Sequence, residues 1–428
     1  MISRLDAGFI SRQTSFMNPS RWLRPTIVSG LLTWIALPGS AVEVSVGSVK
    51  VSAGDVTRSN AAVSFALPPS ARGPMILARK ASGQTSFVQV DNDGNGWLLV
   101  PELKAGTVAE YQIIKSDRVT ELPVAISVER LGRKLRITQA GRPILEYQAE
   151  AGELPRNDIK ESFRRGGYLH PLTTPAGTVI TDDFPLNHVH HHGIWMPWTK
   201  TKFEGREPDF WNMGDGKGRV EFVKLDHYWS GSVHGGFVTE HKFVDLLAPG
   251  GKTALHEKWT LRVYPTADGP DKVWIFDLES VQSCATDQPL ILPEYLYGGL
   301  GFRGPWGWNG ADKTFWLTSN GETDRVKGHG TRANWCYVGG DTIGKRGGVA
   351  ILGHPENFRA PQPMRIHPTE PFFCFAPQQL GEMRIEPGKP YVSKYRFVVT
   401  DGVPVQERID AFWRDYAEPM KVEVSWSK

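Results

Sequence analysis

The chain has 428 residues, 40% hydrophobic and 22% charged, a composition that excludes a disordered polymer and leaves room for two or three folded domains. The first 41 residues hold four of the 49 Lys/Arg and one of the 46 Asp/Glu, so the remainder is electrically neutral with 45 of each. That balance excludes a basic face for nucleic acid or for an anionic membrane surface.

Arg4, Arg12, Arg21 and Arg24 precede an apolar run from Thr26 to Leu37, which closes on Pro38-Gly39-Ser40-Ala41. This is the basic, apolar, small-residue order of a secretory signal, with Met17 as a second candidate start. It predicts residues 1–41 as a signal peptide, a secreted or periplasmic location, and no integral membrane span after its removal. A retained anchor is the alternative, although the run is short for a span.

From Val42 to Leu122 short alternating runs are split by turns. Val44–Val51, Ala61–Ala66, Met75–Arg79, Ser86–Val90, Trp97–Val100 and Ala109–Ile114 read as strands. Asp91-Asn92-Asp93-Gly94-Asn95-Gly96 reads as a hairpin turn, because the Glu that closes a calcium loop is missing. The region 42–122 is expected to be a small immunoglobulin-like accessory β-sandwich.

Strands continue through 123–428, many of them long and without helical periodicity. One helix is expected, Val405 to Tyr416, with Ile409, Phe412, Trp413 and Tyr416 on one face. The fold class is therefore mostly β: a large antiparallel β-supersandwich preceded by a small sandwich, with one C-terminal helix. Cys284, Cys336 and Cys374 are widely separated and have no zinc spacing, so buried free thiols are expected.

The densest chemical signal runs from Gly167 to Trp195, which holds five of the twelve histidines: His170, His188, His190, His191 and His192. If the segment is extended, His188, His190 and His192 share one face and His191 takes the other. Imidazoles at that spacing can converge on a metal ion or on a polar substrate. A structural role in holding a turn is the alternative.

Next comes a loop-like stretch with Glu204, Arg206, Asp209 and Trp211 as grips for hydroxyls or a carboxylate, or else as loop anchors. Repeated glycines near Glu294, Arg303, Trp306 and Trp308 suggest strand ends at a pocket. His329, with a surface turn as its alternative, and Arg359, Arg365, His367 and Glu370 complete the candidates. Fifteen tryptophans suit both a sandwich core and a groove on which sugar rings stack.

Two resemblances rest on these residues. The segments NHVHHHGIW (187–195), FEGREPDFWNMGDGKG (203–218), PEYLYGGLGFRG (293–304), DRVKGHGTRANW (324–335) and HPENFRAPQPMRIHPTEPFFCFAP (354–377) resemble a secreted bacterial family labelled PmoA-like, or methane oxygenase. That family is common in polysaccharide-degrading bacteria. At fold level, Asn187-His188-Val189-His190 with Gly193, Tyr168-Leu-His-Pro-Leu, and Cys374-Phe-Ala-Pro-Gln ahead of Pro387-Gly388 resemble galactose-mutarotase-like proteins. This second resemblance implies a supersandwich. The epimerases' catalytic Glu falls about where this chain has Ala376, so it does not imply their residue pair.

Together these readings lead to a secreted carbohydrate-active enzyme: a glycoside hydrolase, a lyase or an epimerase-like activity. His190 and His192 are expected to transfer protons with Glu294 as carboxylate partner. His188, Arg206, Asp209, Trp211, Arg303, Trp306, His329, Arg365 and His367 are expected around a sugar or oligosaccharide. The cofactor is left open; a divalent metal ion on His188, His190 and His192 fits the ligand types. Alternatives are a copper- or iron-dependent oxidoreductase, as the PmoA-like label implies, and a noncatalytic carbohydrate-binding protein.

Overall fold

A computed structural model describes residues 42–117 and 123–427. The expected signal peptide, residues 1–41, lies outside the described residues, as does the end of the expected accessory region, 118–122. No helix among the described residues is long and apolar enough to cross a membrane.

The architecture is mostly β. Two eight-stranded antiparallel sheets face each other. In one, the strands run Met364–Ile366, Phe372–Phe375, Gly301–Arg303, Ile194–Trp195, Tyr168–Leu172, Arg142–Gln148, Lys134–Gln139 and Ile126–Leu131. In the other they run Gly218–Trp229, Gly235–Asp245, Lys252–Tyr264, Val273–Cys284, Tyr391–Asp401, Lys345–Gly353, Trp335–Thr342 and Thr314–Thr318. Ile137, Leu145, Leu169, Ile194, Phe302 and Phe373 of the first sheet bury against Phe237, Leu261, Phe276, Val338, Ile351 and Phe397 of the second. Burying such side chains contributes about 1.5–3 kcal/mol each before chain entropy is counted.

The period of two explains the second sheet. Along Val273–Cys284, Trp274, Phe276 and Leu278 point into the shared core. Ile275 points the other way, into a separate cluster with Trp335, Val398 and Ile409. The helix Gln406–Ala417 covers that outer face with Ile409, Phe412, Trp413 and Tyr416, as its spacing predicts. The three cysteines are free; Cys336 and Cys374 are buried.

The small sandwich sets a five-stranded sheet beside a three-stranded one. Its hairpin turn at Asp91–Gly96 forms as read. Asp91 Oδ1 accepts the Asn95 amide at 2.8 Å, and Gln89–Val90 pairs with Asn95–Leu103. One boundary differs from expectation. The last strand, Lys421–Trp426, leaves the large sandwich and pairs antiparallel with Glu43–Ser52. Met420, Val422 and Trp426 pack on the small core with Phe65 and Val51. The small sandwich is therefore built from both ends of the described chain, and 123–428 is not one unit.

Candidate functional site

The histidine segment is not extended. The amide of His191 donates to the carbonyl of His188 at 2.8 Å, and that of Phe184 to the carbonyl of His191 at 3.1 Å. The chain turns at His188–His191 and then enters the short strand Ile194–Trp195 through Gly193. A Cβ at Gly193 would collide with the carbonyl oxygen of Leu169 on the neighbouring strand, so only glycine lets the turn lie this close to the sheet.

This turn redistributes the histidines, which corrects the expected ligand face of His188, His190 and His192. The rings of His188 and His191 stack with centroids 4.8 Å apart and planes 17° apart. His190 meets both edge-on, at 5.6 and 4.7 Å. His192 points inward instead. It is fully buried, stacks on Tyr168 at 4.3 Å, and its Nδ1 lies 2.6 Å from Asp183 Oδ1. Asp183 also accepts the Tyr168 hydroxyl at 2.8 Å.

The carboxylate beside the imidazoles is Glu370, not Glu294. Glu370 sits in the loop between Met364–Ile366 and Phe372–Phe375. Its Oε2 accepts the Arg303 guanidinium and lies 3.1 Å from His188 Nδ1. That imidazole contact is close but misdirected for a hydrogen bond, and His188 Nδ1 has no hydrogen-bond partner. Arg303 is fully buried at the end of Gly301–Arg303; its Nη2 also donates to Asn187 Oδ1 and Asn309 Oδ1. Glu294 is exposed and lines a different depression with Lys200, Lys217 and Tyr295.

Several other predicted residues converge here. His367 Nδ1 accepts the amides of Thr369 and Glu370, at 3.3 and 3.1 Å, so it shapes the loop that carries the carboxylate. Its ring lies 6.5 Å from that of His188. Arg365 Nη1 is 3.4 Å from His329 Nε2. Trp306 is exposed in the turn before Asn309, whose side chain donates to its carbonyl.

Others do not converge. Arg206 is committed to Asp245 and Glu204. Asp209 anchors its own loop: it accepts the amides of Trp211 and Asn212 and the Thr199 hydroxyl. Trp211 is buried against Trp195 at 5.0 Å, a wall rather than a stacking platform. Arg325, missed in the sequence, is buried and donates to the carbonyls of His367 and Glu370, which holds the loop. Its position four residues before His329 is visible in the sequence, but nothing in the pattern tells a buried loop clamp from a surface cation.

Burial sets the protonation states. His191 lies in an apolar box of Trp195, Trp211 and Phe372, and desolvation pushes its pKa well below the usual imidazole range. Desolvation, with neighbouring positive charge, takes His190 down to about 4, and burial takes His367 to about 4. Burial also lowers His192 to about 4, against the pull of Asp183. Burial raises Glu370, but the Arg303 guanidinium that it accepts outweighs this and holds the carboxyl below the usual carboxylate range. At neutral pH these rings are neutral and carry lone pairs, and the carboxyl is ionised.

One nitrogen from each of His188 and His191 and one oxygen of Glu370 lie within 4.8 Å of one another. Ligand bonds of about 2.1 Å place two donors on one ion roughly 3.4 Å apart, so small side-chain rotations complete the set. Unpartnered buried polar atoms gather around it: Nδ1 of His188 and of His191, Nε of Arg303 and of Arg365, and Nδ1 of His329. Buried polar groups are normally paired, so such a concentration marks a place built for a ligand. Comparison with curated proteins returns no match. Residues 134–414, which span the large sandwich except its strand Ile126–Leu131 and include every member of this cluster, match the model of a family of unknown function (DUF6807), and the chain belongs to that family.

Proposed function

We propose that the chain is an enzyme acting on a carbohydrate, with a divalent metal ion held by His188, His191 and Glu370. The observation that carries this reading is the trio itself: two imidazoles with unpartnered Nδ1 atoms and a carboxylate, all donors within 4.8 Å. A bound ion polarises an oxygen or acidifies a water there. His190, partly exposed beside the trio, is a base available at neutral pH. Arg303 fixes the carboxylate, and Arg365, His329 and Trp306 supply donors and an aromatic face for a polyhydroxy ligand. The test is elemental analysis of the purified chain, followed by a turnover screen on oligosaccharides with and without chelator. Near-stoichiometric metal with chelator-sensitive turnover supports the reading; absence of metal after incubation with zinc, iron or manganese rejects the metal centre.

A second reading has its own support. Two histidines and one carboxylate, with no thiolate, also form the donor set of non-haem iron oxygenases. Iron in the trio, with oxygen uptake in the presence of a reductant, selects an oxidoreductase over a hydrolase or lyase.

A further inference from the structure

A second cavity opens between the small sandwich and the outer strands of the large one. It measures about 440 Å³, within the range of small-molecule sites, and shares no lining residue with the histidine–glutamate cluster. One wall is the strand Lys252–Tyr264, where the period of two turns Lys258, Thr260 and Arg262 toward the same space. Trp229 and His234 form the floor, and the Asp91–Asp93 turn forms the opposite rim.

The donors in this cavity have nothing to give to. His234 is 1% exposed, and its Nδ1 accepts the Trp229 indole N–H at 2.8 Å. The proton of the neutral ring is therefore on Nε2, which is buried without a partner. Arg262 Nε and Ser232 Oγ are likewise buried and unpaired. Arg262 lies over the Trp97 ring at 5.4 Å, and among the described residues neither it nor Lys258 has an ion-pair partner. On the other rim, Asp91 is spent on the Trp97 indole and on Asn95, whereas Asp93 is exposed. The cavity thus offers N–H donors with positive charge on one side, a carboxylate acceptor on the other and an indole between.

We propose that this cavity is a binding site for an acidic sugar, a hexuronate-sized polyhydroxy carboxylate. Its carboxylate accepts from Arg262 and His234 Nε2, its hydroxyls donate to Asp93, and its ring lies against Trp229. Two cations and an N–H donor suit a carboxylate better than a neutral hydroxyl, because charge-assisted bonds are roughly twice as strong. The site does not depend on the metal centre proposed above.

The experiment is calorimetric titration of the full chain with glucuronate and with glucose. Wild type is expected to bind glucuronate at least about tenfold more tightly than glucose, a loss of the charge-assisted contacts accounting for the difference. Arg262→Gln is expected to weaken glucuronate about tenfold and Lys258→Gln about threefold. The double variant His188→Ala, His191→Ala is expected to keep full affinity, which separates this site from the other. No binding of glucuronate, equal binding of the two sugars, or unchanged affinity in Arg262→Gln overturns the proposal. Should Arg262→Gln fail to fold, Lys258→Gln, whose side chain is exposed, decides: unchanged affinity overturns it.

Discussion

His188 and His191 stack their rings 4.8 Å apart because a hydrogen bond from the His191 amide to the His188 carbonyl folds the chain between them. Four histidines within five positions therefore split into separate roles. His188 and His191 face Glu370, His190 stands edge-on beside them, and His192 turns inward to Asp183.

That division predicts a graded response to alanine substitution. His191→Ala and His188→Ala should each lower bound metal from about one equivalent to less than about a tenth, since a three-ligand site loses most of its affinity with one ligand. His190→Ala should keep the metal and lose turnover. His192→Ala should keep much of the metal but lower the unfolding midpoint, because it removes one of Asp183's two side-chain partners and the buried ring stacked on Tyr168. Elemental analysis beside thermal unfolding separates the three outcomes. Metal loss in His190→Ala with retention in His191→Ala would refute the assignment.

Arg303, fully buried, and Glu370, partly buried, form an ion pair whose breaking leaves a charge unpaired. Arg303→Met leaves the partly buried Glu370 carboxylate without its cation and should cost up to about 3 kcal/mol. The double variant Arg303→Met, Glu370→Met should recover most of that stability while abolishing metal binding. Urea unfolding checks it; equal losses in the single and double variants would mean that the pair is not coupled.

Much of this was legible in the sequence. Alternating runs located the long strands, and the spacing of Ile409, Phe412, Trp413 and Tyr416 located the helix, because both signals repeat over many residues. The histidine cluster was legible as a place but not as a shape. Asn187 and Gly193, both turn formers, flank it, and the shape depends on whether they fold the segment or leave it extended, which spacing alone does not decide. The strands that position the site, Ile194–Trp195 and Gly301–Arg303, have two and three residues, too few to show a period. Nothing local in the sequence distinguishes Glu370, which faces the buried Arg303, from the exposed Glu294.

Acid should destabilise the protein through His234. Burial, then the nearby Arg262, holds its pKa at about 3 in the folded state, against an unfolded value near 6.5. The folded state thus refuses a proton that the unfolded state accepts. Stability is complete above pH 6.5 and falls by up to about 1.4 kcal/mol per pH unit as pH drops from 6.5 toward 3. His234→Gln should start from a less stable protein, since Trp229 loses its acceptor, yet show a flatter decline. Denaturant midpoints at pH 7, 6 and 5 give the two slopes; parallel slopes would rule out this linkage.

The last strand, Lys421–Trp426, ties the end of the chain to the small sandwich. It covers the edge of Glu43–Ser52 and adds Val422 and Trp426 to a core that is small to begin with. Deleting residues 420–428 removes those contacts and exposes six paired positions of an edge strand. The small sandwich should then open locally while the large one, whose sheets lose no strand, persists. Hydrogen exchange should show protection lost across Glu43–Ser52 and Val108–Ser116 and kept across Val273–Cys284. Metal binding at His188, His191 and Glu370 should be unchanged, because none of these residues contacts the deleted strand. Uniform loss of protection through both sandwiches would instead show that they unfold as a single cooperative unit.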